Sequence, residues 1–452
     1  MKKVLLTTAL LLSVSASALA GGLLTNTNQN AVFLRNPARD AIIGIDGVYS
    51  NPAGVAFLPQ GLHLSLSWQA AIQKREITSY APFYALNANN PNPEHYFEGK
   101  SVAPVIPSVQ AAYVFNDKWS VSAQFAVGGG GGKCDFEKGL PMFEQLVGGQ
   151  MAQQIFPGTP YSFSQNLVGK QYFYGIQVGA TYKVHENISV FGGVRGVIAR
   201  AGYEGAIRDI TINGMNSAAL AQASAMYAQA GDIATAQMLG YASQVTQDYV
   251  LDCAQKGFGV TPIIGVDFNL GKWNLAAKYE FRTKIELENE SKNSPNVDAA
   301  FAAYANGAKV RSDIPALLTV GAQYSILDNV RAMAGFHYYF DKDAKGSATA
   351  IDKNTWELTF GAEWDVNKWL TVSAGAQRTK YGFDDTMQDT NFNICSTALC
   401  LGASFRVSEM VKINAGYMHS FYEDHEIHKY TNMTDLYTRK NDVVGISVDL
   451  KF

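Results

Sequence analysis

Trp273-Asn274-Leu275-Ala276-Ala277-Lys278-Tyr279-Glu280-Phe281-Arg282-Thr283-Lys284-Ile285 has a period of two. Trp273, Leu275, Ala277, Tyr279, Phe281, Thr283 and Ile285 fall on one face, and Asn274, Lys278, Glu280, Arg282 and Lys284 on the other. Successive side chains of a strand point to opposite faces, so the stretch predicts a β-strand with one apolar and one charged surface. The same division recurs at Trp356, Leu358, Phe360, Ala362 and Trp364 against Glu357, Thr359, Glu363 and Asp365. It recurs again at Val444, Ile446, Val448, Leu450 and Phe452 against Ser447, Asp449 and Lys451.

Fourteen such runs follow one another, near 62–79, 102–115, 119–131, 170–184, 188–206, 257–270, 272–289, 309–327, 329–340, 353–366, 368–381, 394–407, 410–423 and 437–452. Six connections are tight and polar: Asn116-Asp117, His185-Glu186-Asn187, Gly271-Lys272, Asp328-Asn329, Asn367-Lys368 and Ser408-Glu409. Between them stand long ones, at 80–101, 132–169, 207–256, 290–308, 341–352, 382–393 and 424–436. Strict alternation of short and long connections marks a transmembrane barrel, with tight periplasmic turns and long extracellular loops. The expected fold is therefore all-β, a 14-stranded antiparallel transmembrane β-barrel. Trp119, Trp273, Trp356, Trp364 and Tyr338 bracket strands and suit interfacial aromatic girdles.

Composition agrees. The chain has 452 residues, 47% hydrophobic and only 17% charged, against about 25% charged in soluble domains. Lys+Arg is 36 and Asp+Glu is 39, a net charge of −3, which argues against a nucleic-acid partner because such a binder needs a basic face. No apolar run reaches the ~18 residues of a membrane helix. The mean hydropathy of −0.06 is what results when apolar outward faces and polar inward faces cancel. Met1-Lys2-Lys3, the apolar Val4 to Leu12 and Ala18-Leu19-Ala20 read as a secretory signal peptide over 1–20. Its removal leaves 34 basic and 39 acidic residues, a net charge of −5.

Residues 21–61 do not alternate, and Asn36-Pro37-Ala38 and Asn51-Pro52-Ala53-Gly54 lie within them. Proline suits no central strand, so this segment predicts an N-terminal hatch that plugs the lumen of a barrel spanning 62–452. A signal peptide, a hatch with Tyr49-Ser50-Asn51-Pro52-Ala53-Gly54, fourteen strands and the terminal Phe452 together resemble the FadL/TodX family of long-chain fatty-acid transporters. The family motif falls on Asn51, Pro52 and Ala53; Asn36-Pro37-Ala38 is a second copy not assigned to it. The resemblance implies passive import of hydrophobic molecules across the Gram-negative outer membrane, with long-chain fatty acids first. It also implies capture by outer loops and lateral exit beside a kinked third strand.

Several parts are candidates for that work. Gly128, Gly129, Gly130, Gly131 and Gly132 close the third predicted strand and are the candidate kink. A bend there unpairs backbone groups, so the opening must be lined by protein or ligand. Asn216 to Gln247 is rich in Ala, Gln, Met and Leu, a composition that favours a helical insertion in the extracellular loop. Leu220, Met226, Tyr227, Ile233, Met238 and Leu239 there, with Phe301 and Tyr304 of the next loop, are the candidate apolar landing groove. A helical pair packed on itself is the competing reading. Arg195, Lys278, Arg282, Lys284 and Arg331 are read as lumen-facing cations for a ligand carboxylate. Glu280, Glu357, Glu363, Asp267 and Asp365 are at hand to pair with them instead.

Cys134 and Cys253 fall in the two longest loops, which makes one inter-loop disulfide plausible, whereas Cys395 and Cys400 are poorly placed to pair. No spacing resembles a zinc site and no cofactor is expected. His419, Glu423, Asp424, His425, Glu426 and His428 read as a solvated loop rather than a cation site. His337 and Ser420 fall inward without an identifiable nucleophile–base pair, so no enzyme is expected. The expected partners are a hydrophobic ligand, outer-membrane lipid and lipopolysaccharide, and the barrel-assembly machinery through Phe452. The barrel is expected to be monomeric. Aromatic hydrocarbons or haem are alternative cargoes, and an enzyme barrel or a structural or adhesive barrel are the alternative classes.

Overall fold

The computed structural model describes residues 25–346, 353–382, 388–429 and 432–452; the expected signal peptide lies outside them. The strands are β1 (Gly61–Tyr80), β2 (Glu94–Val114), β3 (Trp119–Phe136), β4 (Tyr161–His185), β5 (Ile188–Ile212) and β6 (Tyr249–Leu270). Strand β7 runs in two pieces, Trp273–Glu280 and Glu286–Ser291, and β8 in two, Lys309–Arg311 and Leu317–Leu327. Then come β9 (Val330–Tyr339), β10 (Trp356–Asn367), β11 (Leu370–Lys380) and β12 (Ser396–Arg406). Strand β13 comprises Val411–Tyr422 and His425–Lys429, and β14 is Met433–Lys451. Each strand pairs antiparallel with the next, and β1 pairs with β14 from His63↔Lys451 to Tyr80↔Thr434, which closes the barrel.

The outer wall carries Leu66, Ile72, Val102, Ile176, Ile264, Phe360 and Leu401, each more than half exposed. A closed barrel satisfies its backbone internally, and such a coat is stable only in lipid; this is an outer-membrane architecture. Trp119, Trp273, Trp364 and Trp369 stand exposed beside the tight turns and form an aromatic girdle.

Strands β1 to β6 are longer than the alternation suggested, at 18 to 25 residues, against ~9–11 needed to span a bilayer. Their extensions rise above the membrane. There the outward face carries Glu98, Lys100, Lys170, Glu204 and Lys256, so the apolar half of the pattern disappears although the ladder continues.

Residues 25–58 fill the lumen, almost all of them buried. Seven inward-facing glycines on seven consecutive strands, from Gly321 on β8 through Gly335, Gly361, Gly375, Gly402 and Gly416 to Gly445 on β14, make a belt into which residues 31–41 press. A methyl on Gly361 would overlap the Asn36 side chain, and one on Gly416 would lie 2.8 Å from the Arg35 nitrogen. Only hydrogen leaves room for a chain packed against the wall.

The extracellular side is covered by an apolar cap that includes Phe83, Tyr84, Phe97, Phe136, Phe143, Leu146, Tyr203 and Tyr249. The predicted helical insertion is a hairpin of α1 (Ser217–Gln229) and α2 (Ile233–Val245). Asn216 and Asp232 cap them, accepting from the Ala219 and Thr235 amides at 2.9 and 3.0 Å. All four cysteines are free, which corrects the expected Cys134–Cys253 bridge: both thiols are buried in the cap as apolar packing groups.

Candidate functional site

The Asn-Pro-Ala motif sits at the foot of the hatch. Pro52 begins a short 3-10 turn, where its missing N–H is no loss. The Asn51 side-chain oxygen accepts from the Gly54 amide at 3.2 Å. The Asn51 amide donates to the Ile42 carbonyl at 3.1 Å and to Asp267 of β6 at 2.5 Å. The Pro52 and Ala53 carbonyls accept from Thr181 at 2.9 Å and Ser189 at 2.7 Å. The motif folds the turn and ties it to the wall at once.

Four of the five predicted cations are engaged by the protein itself. Arg195 pairs with Glu280 at 2.6 Å and donates to Gln177 at 2.7 Å. Lys278 pairs with Glu280 at 2.7 Å, donates to the Tyr49 carbonyl at 2.8 Å and lies 3.9 Å above the Tyr49 ring. Lys278 thus ties the hatch to the wall directly, and Arg195 lies 5.2 Å from the centre of the same Tyr49 ring. Arg331 is bound to Glu363 at 3.0 Å and Asp365 at 2.7 Å, and Arg282 donates to the Asp343 carbonyl. Lys284 is a correction: it is exposed, while its neighbours Thr283 and Ile285 are buried. Ile263 opposes Glu280 and Cys253 opposes Ser291, so ten steps of β6 face eleven of β7. The extra residue shifts the phase and turns every later side chain to the other face.

Further hatch anchors converge on Glu363, buried on β10, which takes Arg35 at 2.9 Å and Arg39 at 2.8 Å as well as Arg331. His337, the residue an enzyme reading would use, spends one ring nitrogen on Asp40 at 3.0 Å and the other on Glu357 at 2.8 Å. Of the loop cluster near 419–428, His419 binds Asp442 at 2.7 Å and His428 binds Glu426 at 3.2 Å. Among the described residues no group of three His, Cys, Asp or Glu side chains is gathered to hold a metal.

The wall is interrupted beside the glycine run, which lies within β3 rather than at its outer end. Strands β2 and β3 pair at Ser108↔Ala126 and again at Lys100↔Asp135, with no pairs between among the described residues. On the β4 side, β3 shifts register between Val127 and Gly129 and between Gly130 and Gly132, and Gly130 and Gly132 have φ of +67° and +144°. These conformations strain any residue with a Cβ. The opposite edge carries Pro104 and Pro107, which have no N–H for a ladder. Those prolines went unread in the sequence although they announce the break. The hatch seals it from inside: Asn26 donates its backbone amide to the Gly128 carbonyl at 3.1 Å and its side chain to the Val127 carbonyl at 3.2 Å.

A second feature escaped the sequence reading. Arg75 of β1 and Arg439 of β14 are direct cross-strand neighbours, both buried and inward. Like charges so placed repel. Arg75 donates to the Thr390 carbonyl at 3.1 Å and Arg439 to the Phe392 carbonyl at 3.0 Å, Phe392 being part of the buried apolar cap. Arg439 also donates to Gln73 at 3.1 Å and packs 4.7 Å from the Tyr422 ring centre. Four residues along the same strands, about 13 Å away, Ala71 and Val443 join an apolar patch with Phe33, Leu34, Cys400 and Met418. Ala103 and Ile106, from the unpaired stretch of β2, pack against that patch. Extending the period-two pattern of the last strand back to 439 places Arg439 inward, so the signal was available.

The eight groove candidates separate. Leu220 and Leu239 are buried in the cap, while Met226, Tyr227, Ile233 and Met238 remain exposed on the helical hairpin. Phe301 and Tyr304 line a small apolar cleft with Val297, with Ile207, Tyr249 and Leu251 of the β5 and β6 extensions, and with Phe143; the helical hairpin contributes nothing to its lining.

No protein-family model and no curated protein matches the chain. Solved structures do. A Pseudomonas aeruginosa FadL homologue aligns over 96% of this chain and 100% of its own, with 14% identity and a TM-score of 0.67. The P. putida toluene transporter TodX aligns over 90% and 94%, with 15% identity and a TM-score of 0.58. The Ralstonia pickettii toluene transporter TbuX aligns over 92% and 98%, with 14% identity and a TM-score of 0.53. The chain has the FadL/TodX-type fold, hatch included.

Proposed function

We propose that the protein passively admits hydrophobic monocarboxylates, long-chain fatty acids first, across the outer membrane. The apolar cleft at Phe143, Phe301 and Tyr304 takes the chain from outside. Each methylene buried is worth about 0.8 kcal/mol. The carboxylate then replaces the loop carbonyls at Arg75 and Arg439, and the alkyl chain lies on the patch of Phe33, Leu34, Met418 and Val443. Withdrawal of Asn26 from the Gly128 and Val127 carbonyls clears the break between β2 and β3, and the ligand leaves sideways into the membrane.

The observation that carries this reading is the juxtaposed guanidinium pair above an apolar patch that adjoins an unpaired stretch of wall. A guanidinium binds a carboxylate bidentately. The test is displacement of a fluorescent fatty acid from the purified protein by oleate, oleyl alcohol and toluene. Arg439→Gln is expected to weaken oleate by roughly tenfold to a hundredfold, the ~1.5–3 kcal/mol of a charged hydrogen bond, and to leave the neutral ligands unchanged. Unaltered oleate binding would remove the carboxylate site. Equal binding of oleate and oleyl alcohol by the wild type would favour neutral hydrocarbons, the class named for TodX and TbuX.

A further inference from the structure

We propose that the outer rim of the barrel, at β4 to β6, binds the phosphorylated headgroup of an outer-leaflet glycolipid. The site is independent of the transport reading. Three rows of outward side chains cross these strands. The lowest, Tyr174–Ile198–Phe258, is the last apolar row of the belt, with Phe258 62% exposed. The next row is Tyr172–Arg200–Lys256–Glu288. Above it come Lys170, Gly202, Ala254 and Glu290. Because Gly202 and Ala254 are small, the surface sinks between the longer side chains. The result is a pit of about 320 Å³ bounded by Lys170, Tyr172, Arg200, Lys256 and Glu290.

One cation of this pit has no ion pair of its own among the described residues. Lys170 is paired with Glu204 at 2.7 Å and Lys256 with Glu290. Arg200 stands directly opposite Lys256, and among the described residues it forms no ion pair of its own: its one hydrogen bond goes to the Ala199 carbonyl at 3.2 Å, Glu290 acts on it only through space, and Glu288 faces Lys256 from the far side. Two cations face to face on a strand pair destabilise it unless an anion lies between them. The position selects the anion. One strand step below, Ile198 and Phe258 meet acyl chains, so the group that reaches Arg200 is the polar head of a lipid whose chains lie on the belt. A phosphate monoester supplies close to two negative charges and three acceptor oxygens to a guanidinium fork and an ammonium. The tyrosine ring of Tyr172 suits the interface at the same level.

The experiment is native mass spectrometry of the full-length protein released from detergent, titrated with a bis-phosphorylated lipid A and with its dephosphorylated counterpart. The wild type is expected to bind the phosphorylated lipid on the order of tenfold more tightly. Arg200→Gln/Lys256→Gln is expected to abolish that preference, while Lys118→Gln, at a periplasmic turn, retains it. Equal binding of the two lipids by the wild type overturns the proposal without reference to any variant. An unchanged preference in the double variant overturns the assignment to these residues. Complete displacement of the lipid by inorganic phosphate at equal concentration overturns the lipid in favour of a free anion.

Discussion

Replacing Glu363 by Gln removes the one carboxylate on which three hatch and wall guanidinium groups converge. Glu363 is 3% exposed and holds Arg35 at 2.9 Å, Arg39 at 2.8 Å and Arg331 at 3.0 Å. After the change Arg39 retains Asp46 at 2.7 Å and Arg331 retains Asp365 at 2.7 Å. Among the described residues Arg35 retains only the Ser373 hydroxyl as a side-chain hydrogen-bond partner, at 3.0 Å. One buried guanidinium is thus stranded, and breaking a buried pair from one side costs about 3–5 kcal/mol. If the hatch relieves that cost by leaving its seat, the unseated population rises by roughly a hundredfold to a few thousandfold. The assay is conductance of the purified protein in planar bilayers, with Asp365→Asn as the control. Asp365 is partly exposed and leaves Arg331 its bond to Glu363, so its loss costs at most about 1 kcal/mol. Glu363→Gln should conduct in frequent bursts, and Asp365→Asn should stay as quiet as the wild type. A silent Glu363→Gln barrel would show that this network does not keep the hatch seated.

Three further outcomes follow from the same geometry. Gly128→Phe, whose Cβ position finds only Gln29 at 3.7 Å and the Phe173 carbonyl at 3.9 Å, should fold with normal heat-modifiability and lose transport; Gly130→Ala, at φ +67° and 2.6 Å from the Gln171 carbonyl, should lose folding yield instead. Gly361→Ala should loosen the hatch and raise its cleavage by added protease, because a methyl there overlaps Asn36. In the cap, His95 lies where the outward face of β2 carries Glu94, Glu98 and Lys100, above the membrane. Burial lowers its proton affinity, but the Glu144 carboxylate at 3.2 Å and the Asn90 carbonyl outweigh burial and raise it above the ordinary histidine value. A raised folded-state value means the stabilisation is complete below pH ~6.5 and fades as pH rises through the higher folded value. Proteolysis of the extracellular loops should therefore accelerate between pH 6 and 9, and His95→Gln should flatten that profile.

The barrel was legible because lipid on one side and a polar lumen on the other force a period of two on every spanning strand. Where that force ends, the reading ends too. Lys170, Glu204 and Lys256 are in strands, yet lie above the bilayer and carry no apolar partner face. Lys284 was turned inward because a single extra residue in β7 is invisible to a periodicity. The hatch was visible as a proline-bearing segment without alternation. Its seat was not, since a glycine belt across seven strands is formed only by the registers. The lumen cations show the same limit: pattern shows that Arg195 and Lys278 face inward, but only three dimensions show Glu280 and Tyr49 consuming them. Arg75 and Arg439 are 364 positions apart in the chain, so barrel closure alone makes them neighbours.

The most direct measurement is uptake of radiolabelled oleate by a Gram-negative host that lacks its own fatty-acid channel and carries either the wild-type protein or Arg439→Gln at equal outer-membrane level. The wild type should restore saturable uptake, and Arg439→Gln should shift half-saturation upward by about tenfold or more. Uptake no greater than in cells without the protein would contradict import of long-chain fatty acids.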